Sequence, residues 1–372
     1  MRILVLNYEY PPLGGGAAPV CEQLCRLFAR RGHDVHVATM GFRGLPRREE
    51  RDGVRITRLP ALRKEQATCE THEMASFVLS AWPWMAHRLR KEHYDIIHLH
   101  FVIPTGLVAY LATWRQRVPY VITAHGSDIP GYNPDRFQRE HHFTKPMLQR
   151  IMNRAAALTS PSQYLKGLML EACGPYEIAH IPNGIDLSRF DVRPKKKRIL
   201  MTGRLLPRKG FQHVLAALKD IDTDFECHIA GDGPLREELE ALARETSAPV
   251  FFHGWLDLNS PELKELYETS AIFCLPSERE NASISLLEAM LAGMAVITTD
   301  VTGCPETVGD AGLVVPLNDP DALKNALQRL LADPELREDC GRRARERVET
   351  HFDWERIGSQ YLDCFEKVLA ER

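Results

Sequence analysis

The sequence predicts an α/β protein of two doubly wound domains, each a largely parallel sheet covered by helices on both faces. Three observations predict it. The 372 residues exceed what one hydrophobic core sustains and suit two domains. Short β-branched apolar runs alternate with helix-period patterns along the chain, the rhythm of βαβ units in buried parallel sheets. That rhythm stalls across PNGIDLSRFDVRPKKKR (182–198), where Pro, Asn-Gly and a basic run mark an interdomain linker. Two such sheets would turn their carboxyl ends to a shared cleft, where ligands of open α/β sheets bind.

The strands follow in order. RILVLN (2–7) comes directly after the initiator and lacks the apolar region and cleavage site of a signal peptide. DVHVAT (34–39), DIIHLH (95–100) and YVITAH (120–125) complete the first set. RILMTG (198–203), FECHIAG (225–231), VFFHG (250–254), AIFCLP (271–276) and AVITTD (295–300) form the second. Between them, Val20, Leu24, Leu27 and Phe28, and later Val214, Leu215 and Leu218, recur at helical spacing and read as core stripes. The most apolar helical run, 74–91, is short and broken by Pro83, so it does not read as a bilayer span.

Composition narrows the classes. Hydrophobic residues at 44%, charged residues at 26% and a formal charge of −3 suggest neither disorder nor general nucleic-acid binding. The four cations Lys195–Arg198 read as a solvated linker. Nine cysteines without a C-x-x-C pair read as reduced thiols of a cytosolic protein.

Candidate site residues sit at strand ends. After RILMTG, Arg204 and Lys209 stand five apart on a turn into a helix, a cationic mouth that suits a diphosphate. Gly233, in a Gly-Asp-Gly-Pro turn, lets backbone approach closely, and Gly254 leaves room for a flat ring. In SERENASISLLEAM (277–290) the helix starts near Ser283, with Ser283 or Asn281 as cap. Glu280 then lies in the loop and Glu288 about one turn inside the helix, where its carboxylate suits adjacent hydroxyls such as those of a ribose. The amides at 282–284 would face phosphates. In the first half, Gly14, Gly15 and Gly16 lack the last glycine of a dinucleotide fingerprint but can bring amides to an anion. His125 and Asp128, in AHGSD, would project from a strand end. His98 and His100 lack an evident third metal ligand. Each feature also has a plain structural reading, as loop cations, surface acids at a helix start or a strand-end histidine.

Taken in order, PPLGGGA, DIIHLH, ITAHGSD, IPNGIDLSRF, GRLLPRKG, IAGDGP, VFFHG, the E-x7-E segment with LLEAMLAGMAVI, and HFDWERI resemble the retaining glycosyltransferases of family four, with the GT-B fold. The resemblance covers nearly the whole chain. It implies two Rossmann-like domains facing across a cleft: an acceptor-binding domain, 1–188 with a closing helix at 353–372, and a nucleotide-sugar domain, 189–352. It implies that Arg204 and Lys209 bind and stabilise the departing diphosphate, Glu288 grips the ribose, Glu280 lies at the donor sugar, and His125 sits beside that sugar. Gly15 and Gly16 would close over the phosphates, and Gly233, Gly254, Asn281, Ala282, Ser283 and Ile284 would complete the donor site. Asn281, Ala282 and Ser283 replace the Gly, Phe and Gly of the commonest motif, which alters the shape around the donor sugar.

The expectation is therefore a retaining sugar transfer from a nucleotide-diphosphate sugar, UDP being the commonest in the family, to a hydroxyl of a glycan, lipid-linked glycan or small molecule. No cofactor, metal or nucleic acid is expected; Asp220-Ile-Asp222 and Asp222-Thr-Asp224 precede a strand and do not follow one. The rival is a sugar-nucleotide epimerase or hydrolase on the same scaffold, since fold does not fix chemistry. The basic stretch Arg43–Lys64, and Trp82 and Trp84 followed by Arg88, Arg90 and Lys91, suit contact with an anionic membrane; core aromatics and a solvated face are the competing reading. The location expected is cytoplasmic, with peripheral attachment to the inner membrane face as the extension.

Overall fold

The computed structural model describes residues 1–66, 68–114, 118–132, 138–257 and 259–371. The chain divides into two compact units, Met1–Gly184 with Trp354–Arg372, and Ile185–Asp353.

The first unit runs β1 (Arg2–Leu6), α1 (Ala17–Arg30), β2 (Asp34–Met40), β3 (Arg48–Arg51), β4 (Val54–Leu59), α2 (Thr71–Lys91), β5 (Ile96–His100), α3 (Leu107–Ala112), β6 (Tyr120–Thr123), α4 (Gln138–Arg154), β7 (Ala157–Ser160), α5 (Gln163–Cys173) and β8 (Ile178–His180). Its eight strands lie in the order β3-β4-β2-β1-β5-β6-β7-β8, parallel except for the β3–β4 pair. The order reverses between β1 and β5. The second unit runs β9 (Lys196–Thr202), α6 (Phe211–Lys219), β10 (Glu226–Ala230), α7 (Arg236–Ala243), β11 (Val250–Gly254), α8 (Pro261–Thr269), β12 (Ser270–Leu275), α9 (Ile284–Leu291), β13 (Ala295–Thr299), α10 (Cys304–Val308), β14 (Leu313–Val315), α11 (Pro320–Ala332) and α12 (Pro334–His351). Its sheet is β11-β10-β9-β12-β13-β14, all parallel, and reverses between β9 and β12. Each reversal is a switch point, where crossovers leave on opposite faces and open a crevice at the strand carboxyl ends.

The last helix, α13 (Trp354–Ala370), belongs to the first unit. Phe365 meets Phe28 of α1 edge-on at 5.6 Å, and Glu355 pairs with Arg30 and Arg31. Tyr361 and Phe365 also pack on His98, inside the β5 strand.

Two expectations need correction. The stretch 43–64 is not simply a basic surface: it holds β3 and β4, a hairpin at the sheet edge. Arg58 is buried there, donating to Glu49 and to the Pro46 carbonyl, so its charge is spent locally. Nor does Pro83 break its helix; α2 runs through it. The carbonyl deprived of a partner is that of Leu79, on the exposed face, where water can serve it. Among the described residues, no helix is long and apolar enough to cross a membrane.

The basic linker run is likewise consumed. Lys196 pairs with Glu265, Lys197 with Asp224 and Arg198 with Glu226, while Lys195 turns inward to two carbonyls. Eight of the nine cysteines are buried, and all are free thiols.

His98 and His100 are fully buried, and burial lowers His98 to about 3 and His100 well below the ordinary imidazole range. Folded pKa values below unfolded ones mean that stability present above pH 6.5 is lost as pH falls, because the unfolded chain binds protons the core refuses. One such imidazole contributes about 2 kcal/mol of loss at pH 5. Urea unfolding at pH 7.5 and 5, followed by tryptophan fluorescence, should show this loss, and His98→Gln should reduce it.

Candidate functional site

The carboxy-terminal unit gathers most of the predicted residues at its switch point. β9 ends at Thr202 and β12 at Leu275, so the turns that follow both strands open side by side. The first turn carries Arg204 and, through a short 3-10 segment Pro207–Lys209, Lys209. Gly210 then sits in the left-handed region, φ 75°, and a Cβ there would collide with the Pro276 carbonyl in the second turn. Glycine is obligatory because backbone meets backbone. The Arg208 carbonyl stitches the turns together, accepting from the Glu278 amide at 2.8 Å and the Ser277 hydroxyl at 2.9 Å.

This stitching brings Lys209 and Glu280 into a mutual ion pair, with both side chains largely buried. The Glu280 amide donates to the Thr302 hydroxyl at 2.9 Å, and its carbonyl accepts from Gly303 at 2.8 Å. Arg204 stays exposed on a turn pinned from below: Leu205 donates to the Asp232 carbonyl, and Leu235 donates to that of Leu205, each at 3.0 Å. At Gly233 the close approach is to this Leu205 backbone, which a Cβ would meet at 2.6 Å. Gly254, at φ 68°, accepts from Gly231 at 2.7 Å.

Beyond Glu280, Asn281 and Ser283 are buried, Ala282 and Ile284 half-buried, and Ser283 takes the N-cap position of α9. Its hydroxyl, one of the two candidate caps, instead meets that of Ser285 at 3.1 Å and makes no cap hydrogen bond. At the other end Lys195 donates to the Ala292 carbonyl at 2.6 Å and Arg345 to that of Leu291 at 2.7 Å. Two cations thus complement the carbonyl end of α9, while its amide end lies at the site.

Glu288, one turn into α9, is 4% exposed. Sequence reasoning missed its partner: Arg189, within NGIDLSRF, reaches it at 2.9 Å. Tyr267 of α8 also bonds the carboxylate and meets the Thr202 hydroxyl at 2.7 Å, tying Glu288 to the end of β9. Burial pushes the Glu288 pKa up, and Arg189 and Tyr267 pull it back.

In the amino-terminal unit, Gly15 and Gly16 lead into α1. A Cβ at either meets nothing within 4 Å among the described residues, so packing does not demand glycine at these two positions. The expectation of open amides needs amendment, because the Glu9 carboxylate already accepts from Gly15 at 3.2 Å. His125 is half-buried, and its Nε2 lies 2.9 Å from His100 Nδ1. Loss of hydration lowers its pKa to about 3, so the ring is neutral. Asp128, expected to project beside it, instead turns inward and accepts from the amides of Val102, His125 and Gly126. It is a loop brace. His98 bonds Thr123, and Asp220 and Asp224 pair with Lys324 and Lys197 on the surface.

The model of glycosyl transferases group 1 matches residues 186–347, and that of glycosyltransferase family 4 matches 14–189. The chain is 31% identical to the phosphatidyl-myo-inositol mannosyltransferase of Mycolicibacterium smegmatis over 74% of its length and 72% of that protein. Sucrose-phosphate synthase from Thermosynechococcus elongatus superposes with a TM-score of 0.83 at 24% identity, all of both chains being covered. Anabaena Alr3699/HepE in complex with UDP-glucose gives 0.76 at 19% identity, covering 99% of this chain and 100% of that one.

A Cβ at Gly303 would collide with the Asn281 carbonyl, which would move the Glu280 loop. Gly303→Ala should therefore destabilise the second unit by about 1–3 kcal/mol, whereas Gly15→Ala should leave stability unchanged; differential scanning calorimetry checks both.

Proposed function

The chain belongs to glycosyltransferase family four, with the GT-B fold, and from that membership we propose that it moves a sugar from a nucleotide-diphosphate sugar to a hydroxyl acceptor with retention of configuration. The observation that carries the reading is the switch point of the second sheet, where Arg204, the Lys209–Glu280 pair and the amino-terminal end of α9 meet on two stitched turns.

The chemistry follows from charge. When the bond between the sugar's anomeric carbon and the phosphate oxygen breaks, its electron pair stays on the diphosphate and the ring becomes cationic. Arg204, Lys209 and the amides at 282–284 are preorganised cations and dipoles for that developing negative charge. The acceptor oxygen bonds the anomeric carbon on the face the phosphate leaves, and its proton passes to the departing phosphate oxygen. Glu280 holds Lys209 in place and offers its second oxygen to sugar hydroxyls. Neutral His125 can donate or accept a hydrogen bond with a substrate hydroxyl. The reading requires no cofactor, and it assigns no step to a metal. UDP is the nucleotide assigned, in keeping with the UDP-glucose held by Alr3699/HepE.

For the acceptor, the reading favours a lipid-linked glycan met at an anionic membrane on the cytoplasmic side. Leu79 and Trp82 of α2 are 72% and 44% exposed, Leu62, whose amide donates to Ser76 of the same helix, is 67% exposed, and Arg90 and Lys91 end the helix. An apolar ridge with adjacent cations suits an interface of headgroups and acyl chains.

Arg204→Ala and Lys209→Ala should each lower turnover by about 10²-fold or more, measured with a panel of sugar nucleotides and acceptors; near-normal turnover in both sinks the assignment. Donor incubated alone should stay mostly intact, because an epimerase or hydrolase would convert it. Vesicles rich in anionic lipid should sediment with the protein at low salt, and Leu79→Glu with Trp82→Glu should abolish that binding.

A further inference from the structure

The most enclosed charged pair at the switch point joins Glu288 to Arg189, a residue of the segment leading into β9. Glu288 is almost wholly buried, whereas the Arg189 side chain is 28% exposed, so the cation is far more open to water than the carboxylate. An ionised carboxylate removed from water is costly unless it is paired and hydrogen-bonded. Here the guanidinium supplies the charge at 2.9 Å, and Tyr267, itself fixed by Thr202, supplies the hydrogen bond. A carboxylate has about four acceptor positions, so these two donors leave capacity for two more.

We propose that Arg189 is a positioning residue that keeps Glu288 ionised and aimed, so that its remaining lone pairs can accept both vicinal hydroxyls of a nucleotide ribose. The proposal rests on the nucleotide-diphosphate reading above. It gives the linker arginine a share in a task that sequence reasoning assigned to Glu288 alone. Glu288 is the sole charged side chain of α9. Of the elements packed on it, β12 brings Cys274 as its titratable group, α10 brings Cys304 and Glu306, and β13 brings none. On α12, Arg345 is engaged by Glu349 and the Leu291 carbonyl, and Arg347 by the Thr307 and Glu306 carbonyls. Arg189 is therefore the cation paired with this carboxylate.

Removing it should let the buried carboxyl take a proton near neutrality. A protonated carboxyl donates where it should accept and loses one ribose contact. Affinity should then return as pH rises and the proton leaves.

Titration calorimetry with uridine, adenosine and guanosine diphosphates between pH 6 and 8.5 tests this on wild type, Arg189→Met, Arg189→Lys and Arg189→Met/Glu288→Gln. Wild type should bind its preferred diphosphate with little pH dependence. Arg189→Met should bind about ten-fold more weakly at pH 6 and approach wild type at pH 8.5. Arg189→Lys should retain most affinity, and the double variant should be weak at every pH. Wild-type binding by Arg189→Met, or a loss equal at every pH, overturns the proposal. Carbon NMR of the Glu288 carboxyl, identified by Glu288→Gln, supplies a ligand-free readout: its titration should move to higher pH in Arg189→Met, and an unmoved midpoint also overturns the proposal. A wild type that binds none of the three diphosphates sinks the functional reading, and the carboxyl titration alone then judges Arg189.

Discussion

The arrangement of the carboxy-terminal unit depends on one carbonyl, that of Arg208, which accepts from both Ser277 and Glu278. Through it the turn after β9 and the loop after β12 become one surface. Without that shared acceptor, Lys209 and Glu280 would belong to separate, independently moving loops. With it, and with Gly210 and Gly303 allowing backbone to approach backbone, a cation and a carboxylate 71 positions apart are held as a pair. Parallel sheets favour such sites because reversal of strand order leaves neighbouring loops uncovered at one edge.

Electrostatics reinforce the geometry from both directions. The start of α9 presents amides, and its end is neutralised by Lys195 and Arg345, so the helix is loaded favourably at its far terminus before any ligand arrives. Within the helix, Glu288 is isolated from water yet tied to Arg189 and Tyr267. The first unit uses the opposite device. His98, His100 and His125 sit together as neutral rings, held so by burial, and offer hydrogen bonds without charge.

Much of this was legible in the chain. The nine predicted strands coincide with strands of the structure to within two residues at each end, because buried parallel strands write themselves as apolar runs. β7, β8 and β14 are three or four residues long, too short to stand out. β3 and β4 were hidden by charge: Arg58 reads as solvent-facing until its partners Glu49 and Pro46 are brought to it by the hairpin. The same limit hid Arg189, whose carboxylate lies 99 positions later. Conversely, Asp128 looked like a projecting acid because nothing local reveals the three amides it accepts from. Sequence patterns report burial and turn chemistry well; they report poorly which polar group has already found its match.

Lys195 has a dynamic consequence. It immediately precedes β9, the strand that delivers Arg204, and its ammonium also grips the end of α9, a rod about 12 Å long. Strand and helix thus share an anchor. Thermal fluctuations that shift this anchor carry both together, so the interval between guanidinium and helix amides varies less than the position of either.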